Sequence, residues 1–166
     1  MRIGRTAEGD EGSTVAARTV EKVGVAGLGT MGAGIAQLCV QAGVPTVALE
    51  GSDELVEQGR GRIDYRLTRS VEKGRLEPAD RERMLGLLET TTSVSALGGC
   101  DLVIEAVFED LAVKRELFDH LERELSDDAV LATNTSALSV TELASGLARP
   151  ENCAELTSRS SSEWRT

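Results

Sequence analysis

The sequence predicts an α/β fold, a doubly wound parallel sheet with helices on both faces. Three observations lead there. Short apolar runs recur along the chain, bounded by glycine or polar residues, as strands buried on both faces are. Amphipathic stretches of helical period separate them, and that alternation marks βαβ units. The first run opens directly into a glycine-dense turn followed by a helix, a join at which free N–H groups of a helix end can face an anion.

Residues 1–21 are rich in Gly, Thr, Glu and Arg, show no strand or helix period, and read as a flexible leader. Val23-Gly24-Val25-Ala26 is the first strand. Ile35, Leu38, Cys39 and Ala42 then recur at helical spacing, and Gly43 ends that helix. Thr46-Val47-Ala48-Leu49 is the second strand. Ser52 is placed to cap a helix with the stripe Leu55, Gly59, Ile63, Leu67 and Val71, which Gly74 stops. Pro78 sits at the first turn of another helix, ending near Leu88. The two form a helical hairpin inserted into the βα alternation. A short strand is expected over 89–92 and a strong one over 101–107. The helix over 111–125 presents Leu117, Phe118, Leu121 and Leu125 on one face, and 129–132 is a further buried strand. Ser139-Val140-Thr141-Glu142 is a capping box, predicting a helix to about Ala148. After Pro150 no apolar strand is visible. The folded domain is therefore drawn over 22–152, and 153–166 reads as a disordered tail.

The 166 residues suit one ordinary domain. A net charge of −10 argues against a nucleic-acid partner, whose phosphates would be repelled. Cys39, Cys100 and Cys153 are odd in number and widely spaced, which fits buried reduced thiols better than disulfides or zinc, and no metal is expected. No apolar run reaches the ~18 residues of a membrane span. The first 22 residues have no apolar core of a secretory signal. A cytoplasmic location follows by elimination, with no membrane partner.

Gly27-Leu28-Gly29-Thr30-Met31-Gly32 is G-x-G-x-x-G between a strand and a helix. The three glycines serve different physical ends. Gly27 permits the tight turn, Gly29 the close approach of a pyrophosphate, and Gly32 the packing of helix on sheet. Glu50 ends the next strand 18 residues past Gly32, where a carboxylate accepts from ribose hydroxyls and repels a 2′-phosphate. This points to NAD rather than NADP, on a Rossmann-type domain. The turn by itself also suits FAD, and a glycine turn that only packs helix on sheet is the plainer alternative.

KVGVAGLGTMGAGIAQLCVQAG at 22–43, DLVIEAVFEDLAVKRELF at 101–118 and LATNTSALSVTELA at 131–144 together resemble the NAD-binding domain of the 3-hydroxyacyl-CoA dehydrogenases. The resemblance implies oxidation of a (3S)-3-hydroxyacyl-CoA with hydride passing to NAD. It implies that Val107 and Glu109 lie beside the nicotinamide half, that Lys114 contacts the cofactor, and that Ser136 bonds the substrate hydroxyl near the nicotinamide. Asn134 opens that last motif. The hairpin matches the family's extra helices, with Arg66 and Lys73 near positions that meet CoA. From the residues alone, Glu109 and Lys114 read as solvated charges at a helix start, a reading that the family match reverses; Ser136 reads also as a turn or N-cap serine, and Arg66 and Lys73 as a solvated face partnered by Glu57, Asp64 and Glu72.

The sequence departs from the family near its end. The family's catalytic histidine corresponds to Thr157, its partner glutamate falls past Thr166, and the helical C-terminal domain with the dimer interface is not represented. Leu156-Thr157-Ser158 is what a one-base frame shift would make of Leu-His-Phe, so 153–166 is expected to be out of frame. His120 is the one histidine, and its helical surroundings suggest a surface position. The expectation is an NAD-binding domain without turnover, the alternatives being a pure NAD-binding module or a non-functional fragment.

Overall fold

The computed structural model describes residues 2–3, 18–108, 110–133 and 146–155. Two short strands, β1 (Arg2–Ile3) and β2 (Arg18–Thr19), pair antiparallel. The main body follows as β3 (Val23–Ala26), α1 (Thr30–Gln41), β4 (Thr46–Leu49), α2 (Asp53–Glu72), α3 (Pro78–Gly86), β5 (Leu88–Thr91), β6 (Leu102–Glu105), α4 (Leu111–Glu124), β7 (Val130–Thr133) and β8 (Cys153–Glu155). Short 3-10 turns cover Val94–Leu97 and Pro150–Asn152.

Six strands form one sheet in the order β5-β4-β3-β6-β7-β8, every neighbouring pair parallel. The chain order runs one way from β3 to β5 and the other way from β6 to β8. The reversal between β3 and β6 is the place where open α/β sheets bind ligands, outside the carboxyl ends of the strands. Residues Ala26, Leu49, Glu105 and Thr133 close those ends.

Alternate residues of the strands enter two cores. Val23, Val25, Ala48, Leu102 and Ile104 meet Ala36, Val40, Ile63 and Leu67 of α1 and α2. Val47, Leu49, Val103 and Leu131 meet Leu97 and, from α4, Phe118 and Leu121. Ser52 caps α2 by accepting from the Leu55 N–H, and Asp110 caps α4 by accepting from Ala112 and Val113. Helix α1 ends in a Schellman turn, with Gly43 N–H donating to Val40 O at 3.1 Å and Val44 N–H to Cys39 O at 3.0 Å.

Four expectations need correction. In α1 the buried residues are Gly32, Ala33, Ala36, Cys39 and Val40, whereas Leu38 is 67% exposed and Ala42 is exposed. The close seating of Gly32 on the turn before α1 rotates the helix so that its small residues face the sheet. Leu55, expected in the α2 stripe, is exposed as well. The leader is not without structure: β2 pairs with β1, and Val20 is buried in the first core. The region after Pro150 also contains a strand. β8 adds to the sheet edge through Leu131↔Cys153, Ala132↔Ala154 and Thr133↔Glu155. Three residues of backbone pairing at an edge need no apolar run, so the pattern of side chains does not reveal them. The strand expected over 101–107 is the shorter β6, and the helix predicted from Ser139 lies mostly outside the described residues, with 146–148 in turn and bend.

Cys39 and Cys100 are buried and Cys153 is half-buried, all as free thiols. Burial pushes the Cys100 thiol up to about 11, with nearby Lys22 opposing the shift and Asp101 and Glu89 adding to it. Burial likewise raises Cys39 and Cys153. Thiolate is the reactive form, so in the folded chain at pH 8 Cys39 and Cys100 are expected to react with Ellman's reagent at least tenfold more slowly than after unfolding in guanidinium. Stopped-flow absorbance checks this; equal rates would contradict the burial of these thiols.

Candidate functional site

The turn after β3 is shaped by two missing side chains. Gly27 has φ +98°, and a Cβ there would lie 2.6 Å from the Ala106 carbonyl oxygen. A Cβ on Gly32 would lie 1.8 Å from the Gly27 carbonyl oxygen. Helix α1 therefore rests directly on the turn, and the turn directly on the loop after β6. Gly29 differs: a Cβ there meets nothing within 4 Å. The space above residue 29 is open, a cradle that a side chain would fill.

The helix end behind that space is bare. Gly29 caps α1 with no side-chain hydrogen bond, and the first turn has no acidic residue. Helices α2 and α4, by contrast, are capped by the side chains of Ser52 and Asp110. The uncapped end leaves first-turn N–H groups and the positive end of the helix dipole to an anion.

Leu28 anchors the turn from both sides. Its N–H donates to Glu50 Oε1 at 2.7 Å, and its carbonyl accepts from Arg62 Nη1 at 3.1 Å. Glu50 follows the last residue of β4 and also accepts from the Gly51 N–H through Oε2 at 3.0 Å. Each carboxylate oxygen retains a second acceptor site. Glu50 is half-buried and held by these two backbone donors. Leu28, expected among the cofactor-binding residues, keeps its side chain fully buried, packed on Gly59 of α2, where an added Cβ would stand 2.4 Å from the Leu28 Cβ. Only its backbone faces the turn. Thr30 and Met31 are exposed at the start of α1, Met31 by 58%.

A second carboxylate stands two strands away, on the other side of β3. Glu105, the last residue of β6, is 1% exposed. Its Oε1 accepts from the Val107 N–H at 2.7 Å, and its Oε2 accepts from the Thr133 hydroxyl at 2.6 Å. Lys114 Nζ of α4 lies 3.2 Å from the same Oε2 and is also 1% exposed. The reading of Lys114 as a solvated charge is thus corrected: the ammonium is buried and ion-paired. Its position in the first turn of α4 aims it down at the sheet end, a direction that spacing alone does not give. Val107 is half-buried and Phe108 is 85% exposed. Glu109, Asn134 and Ser136 lie outside the described residues. Glu105 and Thr133 were missed as site residues; a carboxylate closing an apolar parallel strand was the available signal.

The hairpin pair is placed elsewhere. Arg66 is half-buried with its Nη1 3.6 Å from where a Gly34 Cβ would be, against α1, and Lys73 is the exposed C-cap of α2. Asp64 and Glu72, expected beside them, pair with Arg81 of α3 and with Arg69. His120 is exposed on α4. Among the described residues no cluster of His, Cys, Asp and Glu is arranged to hold a metal, and no helix is long and apolar enough to cross a membrane.

A parallel sheet in this order, with a glycine turn into a bare helix end and a carboxylate closing the next strand, defines a dinucleotide-binding domain. The family model for the 3-hydroxyacyl-CoA dehydrogenase NAD binding domain matches residues 22–156. The chain belongs to the 3-hydroxyacyl-CoA dehydrogenase family, as its NAD-binding domain. A 3-hydroxybutyryl-CoA dehydrogenase of Mycobacterium tuberculosis is 44% identical over 133 residues, 80% of this chain and 46% of the relative. The solved structure of FadB2 from the same species superposes with a TM-score of 0.81 at 42% identity, covering 83% of this chain and 49% of that one. The 3-hydroxybutyryl-CoA dehydrogenase of Escherichia coli K12 gives 0.80 at 38% identity, covering 83% and 29%. The chain spans about half the length of the curated relatives it first matches. The cofactor is therefore NAD, and the alternative of a turn serving only to pack helix on sheet falls.

The two kinds of glycine separate experimentally. Gly29→Val projects into open space and keeps an allowed φ of −59°, so thermal melting should change little while NAD binding is lost. Gly32→Ala drives a methyl into backbone and should cost about 2–5 kcal/mol of stability. Unchanged NAD affinity in Gly29→Val, by fluorescence titration with NADH, would place the dinucleotide elsewhere.

Proposed function

We propose that these residues form the cofactor half of an enzyme that oxidises a (3S)-3-hydroxyacyl-CoA to the 3-oxoacyl-CoA, acting in fatty-acid or butanoate metabolism. NAD, when bound, accepts the hydride from the substrate's C3. The observation that carries the cofactor reading is the uncapped α1 end beneath the open space at Gly29, with Glu50 locked beside it by Leu28. Gly29, Thr30 and Met31 line the approach of the pyrophosphate to the helix end. Glu50 accepts from the adenosine ribose hydroxyls and repels a 2′-phosphate. Val107 and Glu109 border the nicotinamide, and Lys114 contributes positive charge from below.

In this reading Ser136 bonds the substrate hydroxyl and Asn134 supports it, on the segment that follows Thr133. A serine positions a hydroxyl but does not take its proton near neutral pH. The substrate's CoA portion lies along the α2–α3 hairpin, where Arg66 and Lys73 offer cationic groups. The relatives named for acyl-CoA chemistry support that substrate class. The free thiols and the net negative charge fit a cytoplasmic protein that binds neither nucleic acid nor membrane.

Titration of purified protein with both cofactors is expected to show NAD(H) preferred over NADP(H) by at least tenfold. Glu50→Ala should weaken NAD binding by ~1–3 kcal/mol, the scale of charge-assisted hydrogen bonds. Equal affinity for the two cofactors would refute the role of Glu50. The 166-residue polypeptide by itself should not turn over. Its one histidine is exposed on α4, and general-base help is worth ~10²–10⁴-fold. NADH formation at 340 nm with 3-hydroxybutyryl-CoA should stay at background; turnover of a few per second would show that another residue serves as base.

A further inference from the structure

The buried carboxylate of Glu105 has no part in the cofactor contacts proposed for Glu50 and the glycine turn, yet its three partners come from three separate segments. Val107 N–H belongs to the loop between β6 and α4, Lys114 Nζ to the first turn of α4, and the Thr133 hydroxyl to the end of β7. Glu105 and Thr133 stand opposite each other in register, and both point to the α4 side of the sheet, above the core of Val103, Leu131 and Phe118. Placing two charges there is not a route to stability. A buried ion pair is often matched or surpassed by well-packed apolar residues, and apolar residues already fill the rest of that face. What the group supplies is a fixed geometry at the top of two adjacent strands.

We propose that Glu105 is a positioning residue: its carboxylate sets the spacing between the ends of β6 and β7, at Val107 and Thr133, beside which the nicotinamide end of NAD lies. The assignment rests on the cofactor reading above. Oxygen Oε1 holds the backbone of the β6 loop, and Oε2 holds Thr133, directly before Asn134-Thr135-Ser136. Both oxygens act as acceptors, Oε1 for the Val107 N–H and Oε2 for the Thr133 hydroxyl, with the Lys114 ammonium 3.2 Å from Oε2. Because Glu50 lies on the other side of β3, across two strand spacings, the adenosine end is independent of this device.

The test compares two ligands, NADH and ADP-ribose, which share the adenosine and pyrophosphate but differ in the nicotinamide. Thr133→Val keeps the volume and removes the hydroxyl; Thr133→Ser keeps the hydroxyl and removes the methyl. In Thr133→Val the NADH affinity should fall by ~3–10-fold, the loss of about one hydrogen bond, with ADP-ribose affinity unchanged. Thr133→Ser should restore NADH affinity. A packing role for Thr133 predicts the opposite order, with serine the worse of the two, and that result overturns the proposal. Glu105→Gln, which has a single acceptor oxygen for three donor groups, should lower the NADH to ADP-ribose affinity ratio further. If Glu105→Gln does not fold, as its melting curve would show, the two Thr133 variants still decide. Ratios equal to wild type in every folded variant overturn the role of Glu105 alone. Failure of the unmutated protein to bind either ligand overturns the cofactor reading and this inference with it.

Discussion

A methyl group on residue 32 would sit 1.8 Å from the Gly27 carbonyl oxygen, and the rest of the site depends on that atom being absent. Its absence lets α1 settle onto the turn, and the turn onto the Ala106 carbonyl. With α1 so close, its small residues Ala33, Ala36 and Cys39 face the sheet. The helix end then points over the carboxyl ends of β3 and β6, where the strand order reverses. One contact thus decides helix rotation, core composition and the direction of the helix dipole that draws an anion to this spot. In a chain of net charge −10, a local positive end of this kind has to be built from backbone dipoles and a few placed cations.

Two carboxylates then divide the strand ends between them. Glu50 is half-buried and reaches the turn through Leu28 N–H, with acceptor capacity to spare. Glu105 is fully buried, and its oxygens hold groups of the protein itself. The difference follows from position. Glu50 lies just past its strand at the rim of the sheet top, where solvent or a ligand reaches it. Glu105 lies inside its strand, under the loop to α4, where only a buried cation and fixed donors make a charge tolerable. The same residue type therefore serves recognition in one place and scaffolding in the other.

Most of the fold was legible in the sequence because parallel strands buried on both faces leave uninterrupted apolar runs. The strands at Val23, Thr46, Leu102 and Val130, and the helices after Ser52 and at Pro78, follow from those runs and their punctuation. What escaped is what backbone pairing alone decides: β8 at Cys153–Glu155 and the β1–β2 ladder have no side-chain signature. The face of α1 was misjudged because helical spacing favours large residues such as Leu38, whereas the close contact at Gly32 selects small ones. In the site, the glycine turn and Glu50 were readable from spacing. The burial of Lys114 was not, because its partner Glu105 sits nine residues earlier on another element, and no local pattern links a strand-end carboxylate to a helix-start lysine.

The central claim is that a dinucleotide lies across the turn after β3 with its adenosine end toward Glu50. Backbone amide mapping by ¹H–¹⁵N NMR during titration with NAD tests it most directly. The account predicts that the largest shifts fall on Leu28, Gly29, Thr30, Met31 and Gly51, followed by Val107, with α3 and β8 unaffected. Shifts centred on the α2–α3 hairpin or on β8, with the turn unperturbed at saturation, would contradict it.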